Sequence, residues 1–302
     1  MMKDTLMRMR RLFCLLLLLL GCETATAANG CVNGRGSLER PLWDGYSLKI
    51  GATDDAANPC YAGVLAADGK AVFEIWGIDA VMESVTGRDV NNDGKPDVVL
   101  LTHTASSPQN VYSIVGTVEP PGLVKQIVTR AALSFEDRQG DGHMEIVTRD
   151  TSFREFDGLT PEQSPSPLVF LRLKGKEFFN VSNLYWPEYE REIQIARGKM
   201  GRDDIATFKG ESTGGGGVGK DPNKPKEETP EQLFHKQEIK ALILEIVVDN
   251  IYGGHGQEAW AALKEMWPYA DRDRIRQEIL RARMNGVLKD INRPAARQAS
   301  SQ

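Results

Sequence analysis

The sequence predicts a mainly β repeat domain followed by a small all-α bundle at the C-terminal end. Three observations predict this fold class. Hairpin-like segments begin roughly 50 residues apart between Tyr61 and Ser182. No long helical pattern occurs from residue 31 to about residue 185, and apolar residues take helical spacing after residue 229. Strand pairs that recur between polar loops are typical of an all-β domain built from repeats.

The first 27 residues have the form of a secretory signal peptide. Basic residues precede the apolar run Leu12–Leu20, which is too short to cross a bilayer because a crossing helix needs about 20 apolar residues. Two processing routes stay open. A peptidase could cut after the small residues Ala25–Ala27, or Cys22 could be lipidated at the end of "LLGC", which resembles the bacterial lipobox. Both routes predict an exported protein, periplasmic or extracellular, that meets a membrane only through a lipid on Cys22.

The cysteine content agrees with export. Cys14 leaves with the signal peptide and Cys22 is either removed or lipidated, so Cys31 and Cys60 remain as one pair. In an oxidising compartment we expect a disulfide between them, with two unpaired thiols as the alternative.

Residues 28–186 are predicted to form the β-repeat domain. Glycine-containing turns divide each hairpin into two apolar runs, as tight hairpins require. The three hairpin segments are Tyr61–Trp76, Val111–Val128 and Leu168–Ser182. Two further short strands are predicted at residues 98–102 and 146–149, each directly after a polar loop.

Beyond the β domain the composition changes three times. Residues 187–209 are a connector that could be one helix, over Glu188–Met200, or irregular. Residues 210–228 contain four consecutive glycines and no apolar cluster, which predicts a flexible linker. A three-helix module is expected at residues 229–291 and a disordered tail at 292–302.

The first helix of this module has a clear start. Thr229 precedes Pro230 and has Gln232 three positions on, the pattern of a capping box with proline at the first helical position. One apolar face then follows at helical spacing: Ile239, Leu242, Ile243, Ile246 and Val247. A second helix is predicted near Gln257–Trp267, and Asp271 is expected to cap a third.

A short Asp-rich loop precedes the strand at residues 98–102. Oxygen-bearing side chains occupy its alternate positions, and Gly94 at position 6 permits a tight bend. The predicted side-chain ligands are Asp89, Asn91, Asp93 and Asp97, with the carbonyl of Lys95 as a fifth oxygen. These five protein oxygens suit Ca²⁺, which takes six to eight oxygen ligands, with water completing the set. An EF-hand is excluded, because position 12 is Leu100 and the flanking segment is strand-like rather than helical.

A second loop of the same kind begins 48 residues later at Asp137. Asp141, Gly142 and Glu145 repeat positions 5, 6 and 9, and Gln139 replaces the short ligand at position 3. The alternative for both loops is a turn in which the Asp side chains only accept hydrogen bonds from backbone N–H groups. Two copies in register, each entering a strand, favour the metal interpretation.

The segment "DVNNDGKPDVVLL" resembles the calcium loop of FG-GAP/VCBS repeats, the blades of integrin α-chain-like β-propellers, and the resemblance covers roughly residues 55–185. It implies structural Ca²⁺ at Asp89, Asn91, Asp93 and Asp97 with the Lys95 carbonyl. Applied to the second loop, the resemblance implies Asp137, Asp141 and Glu145 as side-chain ligands and His143 as a carbonyl ligand. Gln139 departs from the family pattern. A closed propeller needs at least four blades, and two loops with three hairpins are too few. The repeats would form an open array, a sandwich-like packing, or a fragment completed by self-association.

These features favour an exported calcium-binding protein that acts in protein–protein or cell-surface interaction rather than in catalysis. The net charge is −5 and the sequence has no block of basic residues, so the charge pattern does not indicate nucleic-acid binding. Two alternatives stay open. One is an extracytoplasmic hydrolase acting on glycans, with carboxylates such as Glu74 and Glu83. The other is a periplasmic assembly factor anchored by a lipid on Cys22.

Overall fold

The computed structural model describes residues 29–104, 107–118, 120–210 and 229–291. The predicted signal peptide with Cys22, the linker beyond Gly210 and the predicted tail lie outside the described residues. The chain divides into two compact units. The first has residues up to 83 together with 100–107, and the second has residues 84–99 together with those from 108 onward.

Antiparallel strands build the first unit. They are β1 (Gly30–Val32), β2 (Leu38–Pro41), β3 (Ser47–Ala52), β4 (Cys60–Leu65), β5 (Ala71–Gly77), β6 (Asp79–Met82) and β7 (Asp97–Thr104), which belongs to this unit from Leu100 onward. One sheet has the order β2-β3-β4-β5. In addition, β1 pairs with β6, and β6 pairs with β7.

The second unit combines strands and helices. Its strands are β8 (Ser107–Gly116, from residue 108 onward), β9 (Gly122–Thr129), β10 (Ser134–Glu136), β11 (Glu145–Arg149), β12 (Leu168–Lys174) and β13 (Glu177–Asn180). β8 pairs with β9, and the other four form a sheet in the order β10-β11-β12-β13. All three sheets of the described residues are open, and no closed barrel or propeller is seen among them.

The three predicted hairpins are confirmed as the antiparallel pairs β4–β5, β8–β9 and β12–β13. In the first of them Gly69 has a φ of 81°, which side chains disfavour and glycine permits. The preceding Asp68 accepts a hydrogen bond from the backbone N–H of Lys70 at 3.0 Å. An Asp-Gly pair therefore closes this turn through local interactions.

The helices follow β13 in the chain. They are α1 (Trp186–Gly198), α2 (Arg202–Lys209), α3 (Pro230–Tyr252), α4 (Gly256–Met266), α5 (Arg272–Asn285) and α6 (Leu288–Ile291). The helical alternative for Glu188–Met200 is thus confirmed by α1. The mainly β fold with helices at the C-terminal end is confirmed, and an arrangement in propeller blades stays a prediction. None of the described helices is long and apolar enough to cross a membrane.

Helix α3 begins as the sequence predicts. Thr229 Oγ1 accepts from the N–H of Gln232 at 3.3 Å, and Gln232 Oε1 accepts from the N–H of Thr229 at 3.0 Å. The helix packs against α1 and α4. The predicted apolar face is buried at four positions and half-buried at Leu242; the buried ones are Ile239, Ile243, Ile246 and Val247.

A buried carboxylate connects distant segments of the second unit. Asp150, directly after β11, is fully buried. Its Oδ2 accepts from the hydroxyl of Tyr252 at 2.7 Å and from the N–H of Val287 at 3.2 Å. Its Oδ1 accepts from the N–H of Ser152 at 2.9 Å. Because the carboxylate is hydrogen-bonded on both oxygens, its burial is compensated.

The predicted disulfide between Cys31 and Cys60 is present, and it joins β1 to β4 within the first unit. Both cysteines are fully buried. The bond closes a loop with a sequence separation of 29 residues, which stabilises a fold by roughly 3–4 kcal/mol in the chain-entropy model.

Reduction of this disulfide is expected to lower the free energy of unfolding of the first unit by roughly 3 kcal/mol. Denaturant unfolding with and without a phosphine reductant measures the difference. The Cys31→Ala/Cys60→Ala double variant is the control, since it should not respond to the reductant. Equal stability of the oxidised and reduced wild-type protein would show that the disulfide contributes nothing.

Candidate metal-binding loops

Both Asp-rich loops end on the first residue of a strand, and both lie in the second unit. The first loop runs from Asp89 to Asp97, where β7 begins, and the second from Asp137 to Glu145, where β11 begins. The predicted sequence of loop and strand is therefore confirmed twice.

The two loops have the same unusual backbone positions. In the first, Asn92 at position 4 and Gly94 at position 6 have φ angles of 62° and 85°. In the second, Gly140 and Gly142 at the same positions have φ angles of 68° and 83°. Left-handed φ angles are uncommon outside glycine, and asparagine is among the residues that tolerate them best. The repeat recognised in the sequence is thus also a repeat of backbone conformation.

In the first loop, side chains bind the backbone of the turn. Asp89 accepts from the N–H groups of Asp93 and Gly94 at 3.1 and 2.8 Å. Asn91 Oδ1 accepts from the N–H of Asp93 at 3.0 Å, and Asp93 Oδ1 accepts from the N–H of Lys95 at 2.9 Å. Asn91 Nδ2 also donates to Asp93 Oδ2 at 2.8 Å. Three predicted side-chain ligands are therefore held together within one turn.

The second loop repeats this pattern. Asp137 accepts from the N–H groups of Asp141 and Gly142, both at 3.1 Å. Asp141 Oδ1 accepts from the N–H of His143 at 2.9 Å. Gln139 is exposed, and its side chain makes no hydrogen bond to the residues that the structure describes. The residue that departs from the repeat pattern thus has a side chain without a described hydrogen bond to the turn.

Asp97, at position 9 of the first loop, has one oxygen without a partner. It is 1% exposed. Its Oδ2 accepts from the N–H groups of Val90 and Asn91 at 2.8 and 3.0 Å, whereas Oδ1 is buried with no hydrogen bond from any described residue. Burial raises the pKa of Asp97 to about 7; the two N–H donors oppose this rise, and the charges of Asp93 and Asp89 add to it. A buried, unpaired carboxylate oxygen beside two further carboxylates lacks a positive partner.

Glu145, at position 9 of the second loop, has such a partner. Its Oε2 accepts from the N–H of Arg138 at 3.0 Å. Its Oε1 accepts from Arg172 Nε at 2.7 Å and also from Arg172 Nη2. The same Nη2 lies 3.3 Å from Asp141 Oδ2. A guanidinium therefore neutralises the acidic groups of the second loop from within the protein.

Sequence analysis missed Arg172, because the residue lies 27 positions after Glu145. The two residues face each other across the β11–β12 pair. The hairpin pattern predicts the strands but not their register, so no local signal points to this contact. Gly116 was also missed; it packs closely beside the loop, since a Cβ there would lie 2.9 Å from Val124 Cγ2 and 3.5 Å from Asp97 Oδ1.

The observed contacts agree in part with each of the two interpretations of these loops, a metal site and a hydrogen-bonded turn. Their carboxylates accept from backbone N–H groups, as the turn interpretation expects, and no three His, Cys, Asp or Glu side chains of the described ranges converge as metal ligands. The turn interpretation does not explain the unpaired Asp97 Oδ1, which a cation would satisfy.

Glu74 and Glu83, the carboxylates considered for a hydrolase, make no hydrogen bond to each other within the described residues. Glu74 on β5 is exposed and accepts from the hydroxyl of Tyr61 at 2.9 Å. Glu83 is half-buried, and burial raises its pKa.

Comparison with known proteins identified no relative: no family model, no curated protein and no solved structure matches this chain. Function must therefore be argued from the geometry of the molecule itself.

Proposed function

We propose that this protein is an exported calcium-binding protein of FG-GAP/VCBS-like repeats that acts in protein–protein or cell-surface interaction. One observation carries the proposal: Asp97 buries an unpaired carboxylate oxygen in an Asp-rich loop whose backbone recurs in a second copy. Burial of an unpaired charged oxygen is unfavourable, and it persists where an ion or a function compensates it.

The first loop has the donors that calcium requires. Asp89, Asn91, Asp93 and Asp97 would hold the ion by their side chains and Lys95 by its carbonyl, with water completing the six to eight oxygens. Bound calcium would supply positive charge against the mutual repulsion of three carboxylates. It would also connect the turn to the first residue of β7, so its role would be structural rather than catalytic.

The second loop, by contrast, is supplied with a positive charge by Arg172, which pairs with Glu145 and Asp141. A divalent ion there would have to displace this guanidinium. We therefore place calcium in the first loop, and treat the second as a copy in which arginine has taken over the neutralising role.

Two features support export and interaction. The disulfide between Cys31 and Cys60 agrees with an oxidising compartment. In the second unit, Phe179 and Met284 line a shallow groove although they are 47% and 68% exposed. Apolar side chains exposed together are typical of surfaces that bind other proteins.

Calcium is expected to raise the melting temperature of the wild-type protein by several degrees. An ion present at a hundred times its dissociation constant stabilises the folded state by about 2.7 kcal/mol. Asp93→Ala removes a proposed ligand and should abolish this rise. Thermal unfolding in calcium and in chelator measures both effects.

The second loop provides a matched control. Asp141→Ala changes the same loop position in the copy that Arg172 neutralises, so this variant should keep the full calcium response. Identical melting of the wild-type protein in calcium and in chelator would contradict the proposal, and so would an equal loss in both variants.

A further inference from the structure

A separate cavity in the second unit collects carboxylates. It has a volume of about 210 Å³. Helices α1 and α3 and the segment before β12 form its walls. Its acidic and basic lining residues are Glu162, Glu188, Glu192, Glu245, Asp249 and a single cation, Arg149.

Asp249 is the deepest of these groups. It lies on α3, is only 6% exposed, and lines the cavity. Its side chain makes no hydrogen bond or ion pair with the part of the chain that the structure describes. Burial raises the pKa of Asp249 to about 8; the charges of Glu245 and Glu192 add to the rise, and Arg149 opposes it. The ionised group thus destabilises the folded protein unless a positive partner lies beside it.

Two cations lie near these carboxylates, Lys199 and Arg149, and both oppose the rise in the pKa of Glu245. Arg149 Nη1 donates to the carbonyl of Ser166 at 2.6 Å. Glu188 is the carboxylate that the nearby arginines neutralise, at 2.9 Å from Arg138 and 2.8 Å from Arg191. Glu245 has no ion pair within the described ranges, and its pKa is raised by burial. Asp249 and Glu245 are thus the more buried lining carboxylates without an ion pair among the described residues, since Glu162 is exposed and Glu192 lies 3.7 Å from Arg191.

We propose that this cavity binds a small organic cation with a primary ammonium group, which places its N–H donors on Asp249 and Glu245. An ammonium has three donors and no acceptor, which suits a cavity lined by carboxylates. The excess of carboxylates over cations favours such a ligand over a neutral sugar. The proposal is independent of the calcium site.

Calorimetric titration of the full protein with 1,5-diaminopentane tests this inference, with 1-pentanol as the uncharged probe of similar size. We expect the amine to bind and the alcohol not to bind. Asp249→Asn keeps the shape of the side chain and removes its charge, so it should weaken amine binding roughly ten-fold or more. Glu245→Gln is the second cavity variant and should weaken binding in the same direction.

Glu238→Gln is the matched control, because Glu238 is an exposed carboxylate on the same helix outside the cavity. It should bind the amine like the wild-type protein, and so should Asp93→Ala in the presence of chelator. Equal affinity in Asp249→Asn and wild type, binding of the alcohol as tight as that of the amine, or displacement of the amine by Ca²⁺ would each overturn the proposal.

Discussion

Gly286→Ala is expected to lower the free energy of unfolding of the second unit by about 3 kcal/mol. A Cβ at this position would lie 2.0 Å from Asp150 Oδ2. That carboxylate cannot simply turn away, because Tyr252, Val287 and Ser152 all donate hydrogen bonds to it. Relief of the clash would break bonds to a fully buried charged group. Denaturant unfolding of the variant and the wild-type protein measures the loss.

Gly256→Ala is the control for this prediction. Its added Cβ would meet no atom within 4 Å, and Gly256 is the first residue of α4. Alanine is the better helix former, so this variant should be as stable as the wild type or slightly more stable. The cost of Gly286→Ala should also shrink when Asp150 is already alanine, because the two residues then no longer clash. An undiminished cost in that background would contradict the steric explanation.

Asp249→Asn is expected to make the second unit more stable at pH 8 by on the order of 3 kcal/mol. In the folded protein, burial and the charges of Glu245 and Glu192 raise the pKa of Asp249 from 3.8 to about 8. Between these values the folded state binds more protons than the unfolded state. The stability of the wild-type protein must then fall as the pH rises from about 4 to about 8. The asparagine side chain does not titrate in this range, and the cost of burying its amide offsets part of the gain in stability.

Unfolding free energies of the two proteins at pH 4, 6 and 8 provide the test. The difference should be small at pH 4 and should grow towards pH 8. A difference that is constant with pH would mean that Asp249 titrates alike in the folded and unfolded chains.

The sequence alone determined the features that depend on neighbours in the chain. Asp68 and Gly69 specify a hairpin turn, and Thr229 and Gln232 specify a helix start, since each motif closes its hydrogen bonds within a few residues. The loop from Asp89 to Asp97 was recognisable for the same reason: its acceptors and the glycine that bends it lie within nine positions. Its second copy, the cysteine pair and the change to helical spacing were likewise visible as spacings.

Only the tertiary structure decided the contacts between distant segments. Arg172 pairs with Glu145 because of strand register, and Gly286 lies against Asp150 because a helix end packs near a strand end. Asp249 shows the limit most clearly: it follows Leu242 by seven positions and Ile246 by three, so helical spacing places it on the apolar face, but the sequence does not show what surrounds it there. Its burial depends on which segments pack around α3. Local spacing specifies turns, caps and periodicity, whereas the energy of a buried charge depends on all the groups that surround it in space.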